Sequence, residues 1–285
     1  MNFLSAIILG LVQGLAEFLP ISSSGHLSLF QHFFGLQTAE ATSLFFDVLL
    51  HMGTLVAVII YYWEDVRDMV SEFIAMCFEL AGKRSSRPTA QAMSVRRLVL
   101  LIIVATLPLI IVLPFKSKIE TLYDNTWFVG FALLVTGCIL FLSDRLAKGR
   151  KTERSATIRD VALVGLAQAF ATFPGISRSG STIAAGMVLG FDRKFAVRFS
   201  FLLSLPAVLG ANLLNLIDAF QAGVELGMIP VYIVGVCVAA MAGYFAIGVV
   251  KRLTDEGRFG KFAYYCWGVG ALTLLLSLIS MLVNR

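Results

Sequence analysis

Six stretches of this chain are apolar over the length a helix needs to cross a lipid bilayer, about 20 residues: 45–63, 98–115, 127–143, 196–217, 228–250 and 262–283. A soluble core cannot bury that many fully apolar helices. The composition agrees: 58% of the 285 residues are hydrophobic and 14% are charged, against about a quarter charged in a soluble domain. Transmembrane β-barrels show short alternating segments, whereas the apolar runs here are long and continuous. The chain therefore reads as an all-α polytopic membrane protein, with residues 1–285 forming a single membrane domain.

Two further apolar stretches are interrupted at their centres by small and polar residues. Residues 2–35 are broken at "PISSSGH" and residues 160–190 at "PGISRSGS". Each half is too short to span, so each stretch is expected to be a re-entrant helix hairpin that enters and leaves on one side. The basic residues support this. Arg67, Lys83, Arg84, Arg87, Arg96 and Arg97 follow the first span, and Arg145, Lys148, Arg150, Lys151, Arg154 and Arg159 follow the third. Arg193, Lys194 and Arg198 follow the second hairpin, and Lys251, Arg252, Arg258 and Lys261 follow the fifth span. With re-entrant hairpins all of these clusters fall on one face, which the positive-inside rule makes cytoplasmic. Only Lys116, Lys118 and Arg285 fall on the other face, and both termini are expected there. The net charge of +5 is then an orientation signal, not a nucleic-acid footprint. The N-terminal "MNFLSAIILG" lacks a basic segment and a cleavage site, so it is not expected to be a cleaved signal. Cys77, Cys138, Cys237 and Cys266 are far apart without metal-type spacing and read as free core thiols.

The two broken stretches align with each other without a gap: "LVQGLAEFLPISSSGHL" (11–27) on "LAQAFATFPGISRSGST" (166–182). Gln13 falls on Gln168, Ser22 on Ser177, Ser24 on Ser179 and Gly25 on Gly180. A weaker match joins "FDVLLHMG" (46–53) to "FSFLLSLP" (199–206). Each half is then one hairpin plus three spans, with repeat 1 covering about 1–145 and repeat 2 about 158–285. An odd number of spans inverts the second copy, so an inverted-topology repeat is expected, with broken helices meeting near the midplane.

Burying polar groups in lipid costs several kcal/mol each, roughly, unless they are paired or hydrated, so those at the breaks call for a reason. Gln13 and Glu17 are i and i+4 and share a helix face. Ser22, Ser23 or Ser24 can cap the returning half-helix, and Gly25 allows close backbone approach; Ser177, Ser179 and Gly180 can do the same in the second loop. Two helix N-termini offer N–H groups to an anion, and Arg178, an arginine within the membrane, adds a fork suited to phosphate oxygens. His26 can act as general acid or base, and Ser23 as an activated nucleophile. Glu17 can orient His26, activate water or bind a hard divalent cation such as Mg²⁺ or Ca²⁺. Asp47 and His51, also i and i+4, are placed as supporting partners, and His32 at the interface. Each group alone has a plainer reading: a serine turn, a satisfied carboxylate, an arginine that only neutralises it. Their clustering at two related breaks, with complementary charge, favours a phosphate or pyrophosphate site.

At these residues the sequence resembles the undecaprenyl-diphosphate phosphatase family, also called bacitracin-resistance proteins. That family carries a Glu/Gln-x-x-x-Glu motif, then Pro-x-Ser-Ser-(Ser/Thr)-Gly-His, and later Pro-Gly-x-Ser-Arg-Ser-Gly. Here they read "QGLAEFLPISSSGH" (13–26) and "PGISRSGST" (174–182). The resemblance implies hydrolysis of a C55 polyprenyl diphosphate to the monophosphate and phosphate, which recycles the lipid carrier of cell-wall synthesis. It also implies bacitracin resistance, a homodimer in the bacterial plasma membrane, a site open to the outer side and dependence on a divalent cation. Glu17, Ser23, His26 and Arg178 fall on the family's functional positions. Gln13 takes the Gln alternative, one acid fewer than in members with two Glu, which places metal binding through Gln13 in question. Rival readings are a polyprenyl-phosphate transporter or flippase, a non-catalytic resistance protein, and the type-2 phosphatidic-acid phosphatase class. That last class needs a second histidine after its Ser-Arg, and none follows Arg178 here.

Overall fold

In the computed structural model, residues 1–34, 40–82, 88–222 and 225–283 are described. Lys83, Arg84, Arg87 and Arg285, and the last residue of the 2–35 stretch, lie outside them. The described residues form helices α1 (Phe3–Phe18), α2 (Ser23–Phe34), α3 (Glu40–Tyr61), α4 (Trp63–Leu80), α5 (Ala90–Thr106) and α6 (Lys116–Glu120). They continue with α7 (Thr126–Leu146), α8 (Ile158–Phe170), α9 (Arg178–Val188), α10 (Arg193–Ala222), α11 (Ile229–Asp255) and α12 (Phe262–Val283).

Among the described residues, five segments are long and apolar enough to cross a membrane: Ala90–Glu120, Thr126–Leu146, Arg193–Ile217, Ile229–Asp255 and Phe259–Val283. A sixth is reached if Phe45–Tyr61 and Trp63–Leu80, bent by 93° where they join, count as one broken span. The chain is a multi-pass membrane protein. The span expected at 98–115 begins earlier and its regular helix ends at Thr106; short 3₁₀ turns at Leu107–Ile111 and Leu113–Phe115 carry Pro108 and Pro114. Each proline lacks the N–H that would continue an α-helix and crowds the preceding turn. The region after the first span, read from sequence as a basic loop, is largely the helix α4. No residue of α4 is buried, and Arg96 of α5 ties it down through Glu72 (2.7 Å) and Glu79 (2.8 Å). Other basic residues are likewise paired: Arg198 with Asp65 (2.6 Å), Lys151 with Asp160 (2.9 Å) and Arg193 with Asp144. All four cysteines are free, but only Cys266 is buried. Cys77, Cys138 and Cys237 are exposed, a correction to the core assignment; a weakly polar thiol is tolerated on an apolar outer helix face.

Helices α1, α8 and α9 are short. The 16 residues of α1 extend about 24 Å at 1.5 Å per residue, less than the ~30 Å hydrocarbon thickness. They are held instead by protein. Helix α1 packs along α11 and α8 lies between α5 and α9. The α1–α11 contact depends on small residues: a Cβ on Gly14 would lie 2.5 Å from the Ala239 carbonyl oxygen, and one on Gly10 2.6 Å from that of Gly235. Without a hydrophobic driving force between helices in lipid, such close approach is what association rests on. Large apolar side chains, including Ile110, Phe131, Ile217 and Phe245, cover the outside.

Candidate active site

The two interrupted stretches meet at their turns. Helix α1 ends at Phe18 and α2 starts at Ser23; α8 ends at Phe170 and α9 starts at Arg178. A Cβ on Gly25 would lie 3.0 Å from the Gly175 Cα, and Gly175 itself sits at φ +89°. A side chain at either position would push the turns apart or strain the backbone. The Ser179 hydroxyl reaches the Leu19 carbonyl at 3.4 Å.

Both turns are built the same way. The Ser22 Oγ accepts from the Gly25 N–H (3.2 Å) and lies 3.3 Å from the Ser24 Oγ. The Ser177 Oγ accepts from the Gly180 N–H (3.1 Å) and lies 3.3 Å from the Ser179 Oγ. These caps use one N–H of each helix N-terminus, so the anion cradle read from sequence is partly spent on holding the turns. Thr136 of α7 pins the second turn: its hydroxyl donates to the Gly175 carbonyl (2.9 Å) and accepts from the Ser177 N–H (3.2 Å).

Glu17 is the centre of the site. It is buried, and its carboxylate gathers groups from four other residues. Arg178 Nη2 donates to Oε1 at 2.5 Å, while Ser23 Oγ (2.8 Å) and Gln13 Nε2 (3.0 Å) donate to Oε2. His51 of α3 brings Nε2 to 3.8 Å from Oε2. Its Nδ1 faces the Asp47 backbone carbonyl at 2.8 Å, so Asp47 supports the site through its main chain. Charge-assisted bonds of this kind are roughly twice as strong as neutral ones. Two buried atoms here have no partner: Arg178 Nη1 and Gln13 Oε1. A buried unpaired donor or acceptor costs about 1–3 kcal/mol, so both are unmet hydrogen-bonding capacity within the site.

His26 is turned elsewhere. Its Nδ1 lies 2.8 Å from the Ser22 carbonyl, and its Nε2 2.9 Å from the Tyr265 hydroxyl on α12. The group hydrogen-bonded to the Ser23 hydroxyl is therefore Glu17, and His26 occupies the next turn of α2. Tyr265 and Thr136 are participants that sequence reading missed. Thr136 carried a signal, a hydroxyl in the middle of an apolar span. Tyr265, within "FAYYCW", carried none. His32 is exposed.

The donor set suits a hard cation. Glu17 supplies carboxylate oxygens and Gln13 an unpartnered amide oxygen, and Mg²⁺ or Ca²⁺ is often held by one or two such groups plus substrate oxygens. Among the described residues no cluster of three His, Cys, Asp or Glu side chains forms a metal cage.

A multi-pass membrane protein in which two interrupted helix pairs bring a carboxylate, a serine and an arginine together in the protein interior belongs to a narrow class. Comparison with known proteins specifies it. Residues 6–272 match the family of the bacitracin resistance protein BacA. A protein of Halothermothrix orenii named undecaprenyl-diphosphatase is 42% identical over 278 residues, covering 97% of this chain and 99% of the relative. One of Methanosphaera stadtmanae with the same name is 40% identical over 281 residues, covering 98% and 99%. A third, undecaprenyl-diphosphatase 4 of Bacillus cereus, is 42% identical over 277 residues, covering 97% and 98%. The chain belongs to the BacA family.

Proposed function

We propose that this chain hydrolyses undecaprenyl diphosphate to undecaprenyl phosphate and inorganic phosphate, recycling the lipid carrier and so conferring bacitracin resistance. The observation that carries the reading is the Ser23–Glu17–Arg178 cluster, in which a hydroxyl already donates to a buried carboxylate beside a guanidinium with a free N–H.

Arg178 holds the diphosphate through Nη1 and keeps its other arm on Glu17. Glu17 takes the Ser23 proton as Oγ attacks the terminal phosphorus; the Oγ–P bond forms, the bridging P–O bond breaks, and the monophosphate leaves. Water then cleaves the phosphoserine. In the alternative, Ser23 positions a water that Glu17 activates, and the phosphorus is attacked once. Phosphoryl transfer places little covalent demand on the protein, so positioning and charge stabilisation do most of the work. His26 serves the proton that the leaving or incoming oxygen needs. A divalent cation held by Glu17 and Gln13 would neutralise charge on the phosphates.

The topology proposed is six spans plus two re-entrant hairpins in an inverted repeat, in the bacterial plasma membrane. The site opens to the outer side, the main basic segments are cytoplasmic, and the protein is a homodimer. The matching serine caps of the two turns support the repeat. They also favour a second reading, a polyprenyl-phosphate transporter, because inverted repeats with midplane broken helices are a transporter architecture. Phosphate release from prenyl diphosphate by purified protein separates the two. No release with any divalent cation, in wild type as in Arg178→Ala, overturns the phosphatase. A trapped phosphoenzyme in wild type, absent from Ser23→Ala, assigns Ser23 as nucleophile; full turnover by Ser23→Ala assigns water.

A further inference from the structure

We infer that Tyr265 is a positioning residue that holds the His26 ring, whose tautomer the Ser22 carbonyl sets, and partners its Nε2 whether or not that nitrogen carries a proton. The inference deepens the phosphatase reading and rests on it for its kinetic consequence only.

The argument starts at Ser22, which among the described non-glycine residues alone has a left-handed backbone, φ +72°. Its carbonyl accepts from the His26 backbone N–H (3.2 Å) and faces the His26 Nδ1 (2.8 Å). A carbonyl oxygen only accepts, so Nδ1 carries a hydrogen. In neutral His26 the lone pair is then on Nε2, and the group 2.9 Å from Nε2 is the Tyr265 hydroxyl, which must donate. The two rings are nearly parallel, 14° apart with centroids at 5.6 Å, so the phenol fixes the ring plane as well.

A hydroxyl differs from any other partner at this position in one respect: it both donates and accepts. When Nε2 is protonated, the same phenol oxygen accepts from it with only its own hydrogen rotating. His26 is buried, so no loss of a partner accompanies the change of charge. Tyr265 is 46% exposed on α12, which gives the pair contact with the surroundings of the bundle. The basic atom of His26 is thus Nε2, and Nδ1 is committed to the turn that carries Ser23.

Tyr265→Phe keeps the ring and removes the hydroxyl. The chain has three histidines, His26, His32 and His51, so ¹⁵N-histidine spectra of the purified full-length protein can be assigned by single replacement. The expected wild-type signature for His26 is protonated Nδ1 with unprotonated Nε2, and in Tyr265→Phe the same tautomer with a shifted Nε2 signal, because Nε2 has lost its hydrogen-bond donor. In turnover of a prenyl diphosphate, Tyr265→Phe is expected to lower kcat about tenfold, the order of one lost hydrogen bond, with KM within about twofold. In a His26→Ala background it should do nothing further. An unchanged His26 spectrum in Tyr265→Phe, or kinetic effects of the two substitutions that multiply, overturns the inference. If wild type turns over no prenyl diphosphate while the spectrum changes as expected, the positioning role stands and the phosphatase reading falls.

Discussion

Replacing Glu17 by Gln tests the centre of the site with almost no change in shape. The carboxylate accepts from Arg178 (2.5 Å), Ser23 (2.8 Å) and Gln13 (3.0 Å). A Gln side chain has one acceptor oxygen, so its NH₂ faces either Arg178, donor against donor, or the Ser23–Gln13 pair, where the hydroxyl must turn and the Gln13 amide flip to accept it. A hydrogen bond to a charged group contributes about 1.5–3 kcal/mol, and removing one partner of a buried ion pair costs about 3–5 kcal/mol because the other charge is left uncompensated. Arg178 keeps 16% side-chain exposure and can recover some hydration, which puts the loss near ~3 kcal/mol, the low end of that range. The thermal midpoint in detergent should fall by several degrees. The double variant Glu17→Gln/Arg178→Gln should recover part of the fall, since no lone charge remains.

Turnover tests the second half of the reasoning. If Glu17 is the base for Ser23 or for water, kcat should fall about 10²–10⁴-fold, the usual contribution of a general base. KM should change little, because Arg178 remains to hold the diphosphate. The measurement is phosphate release by purified protein over a range of substrate concentrations, alongside the melt. A Glu17→Gln enzyme with kcat within about threefold of wild type would refute the base role. If it also melts normally, the ion pair is not the structural tie described here.

Four other substitutions, one of them a control, probe the frame and the cation. Thr136→Val removes a hydroxyl that satisfies both the Gly175 carbonyl and the Ser177 N–H; two buried groups lose their partner, about 1–3 kcal/mol each, so the melt should drop and turnover fall without a change in substrate specificity. Gly14→Leu should prevent the close approach of α1 to α11, where even a Cβ would sit 2.5 Å from the Ala239 oxygen, and sharply lower the yield of folded protein, whereas Leu at the open position Gly268 should be harmless. Turnover should be lost with a chelator and restored by Mg²⁺ or Ca²⁺, and Gln13→Glu should lower the cation concentration giving half-maximal rate, because a second carboxylate joins Glu17; an unchanged cation dependence would remove Gln13 from the ligand set.

Much of the fold was legible because lipid leaves few options. Backbone groups in the hydrocarbon layer must be satisfied within helices, so apolar length alone located five spans among the described residues, and the serine–glycine interruptions located the turns between α1 and α2 and between α8 and α9. What remained hidden depended on details that hydropathy averages away. In α4, Trp63, Val70, Phe73, Ile74 and Phe78 alternate with Glu64, Asp65, Arg67, Asp68 and Glu72, and averaging over the two sets hides the helix. The members of the Glu17 cluster could be named from motif spacing, but not their partners. Ser23 and His26 are three residues apart on one helix, yet the left-handed Ser22 and the position of α12 turn His26 toward Tyr265, 239 residues away in sequence. No local pattern encodes that contact.

Under the inverted-repeat reading, the differences between the two hairpins carry as much information as their likeness. The serine caps are retained in both, which preserves the turns. Every titratable position is retained in one only. Glu17 corresponds to Thr172, whose hydroxyl donates to its own helix at the Ala169 carbonyl (2.8 Å). His26 corresponds to Ser181, and Gln13 to Gln168; the Ser181 hydroxyl and both ends of the Gln168 amide are buried without a partner. In the reverse direction, Ser23 corresponds to Arg178. Neither charge would be stable alone at this depth, so the Glu17–Arg178 pair ties the two turns together and each hairpin completes the other. A carrier that alternates between faces would gain from two comparable half-sites. Here the turn of the second hairpin carries no carboxylate and no histidine of its own, only a cation directed into the first. That asymmetry favours chemistry at a single site over passage between two.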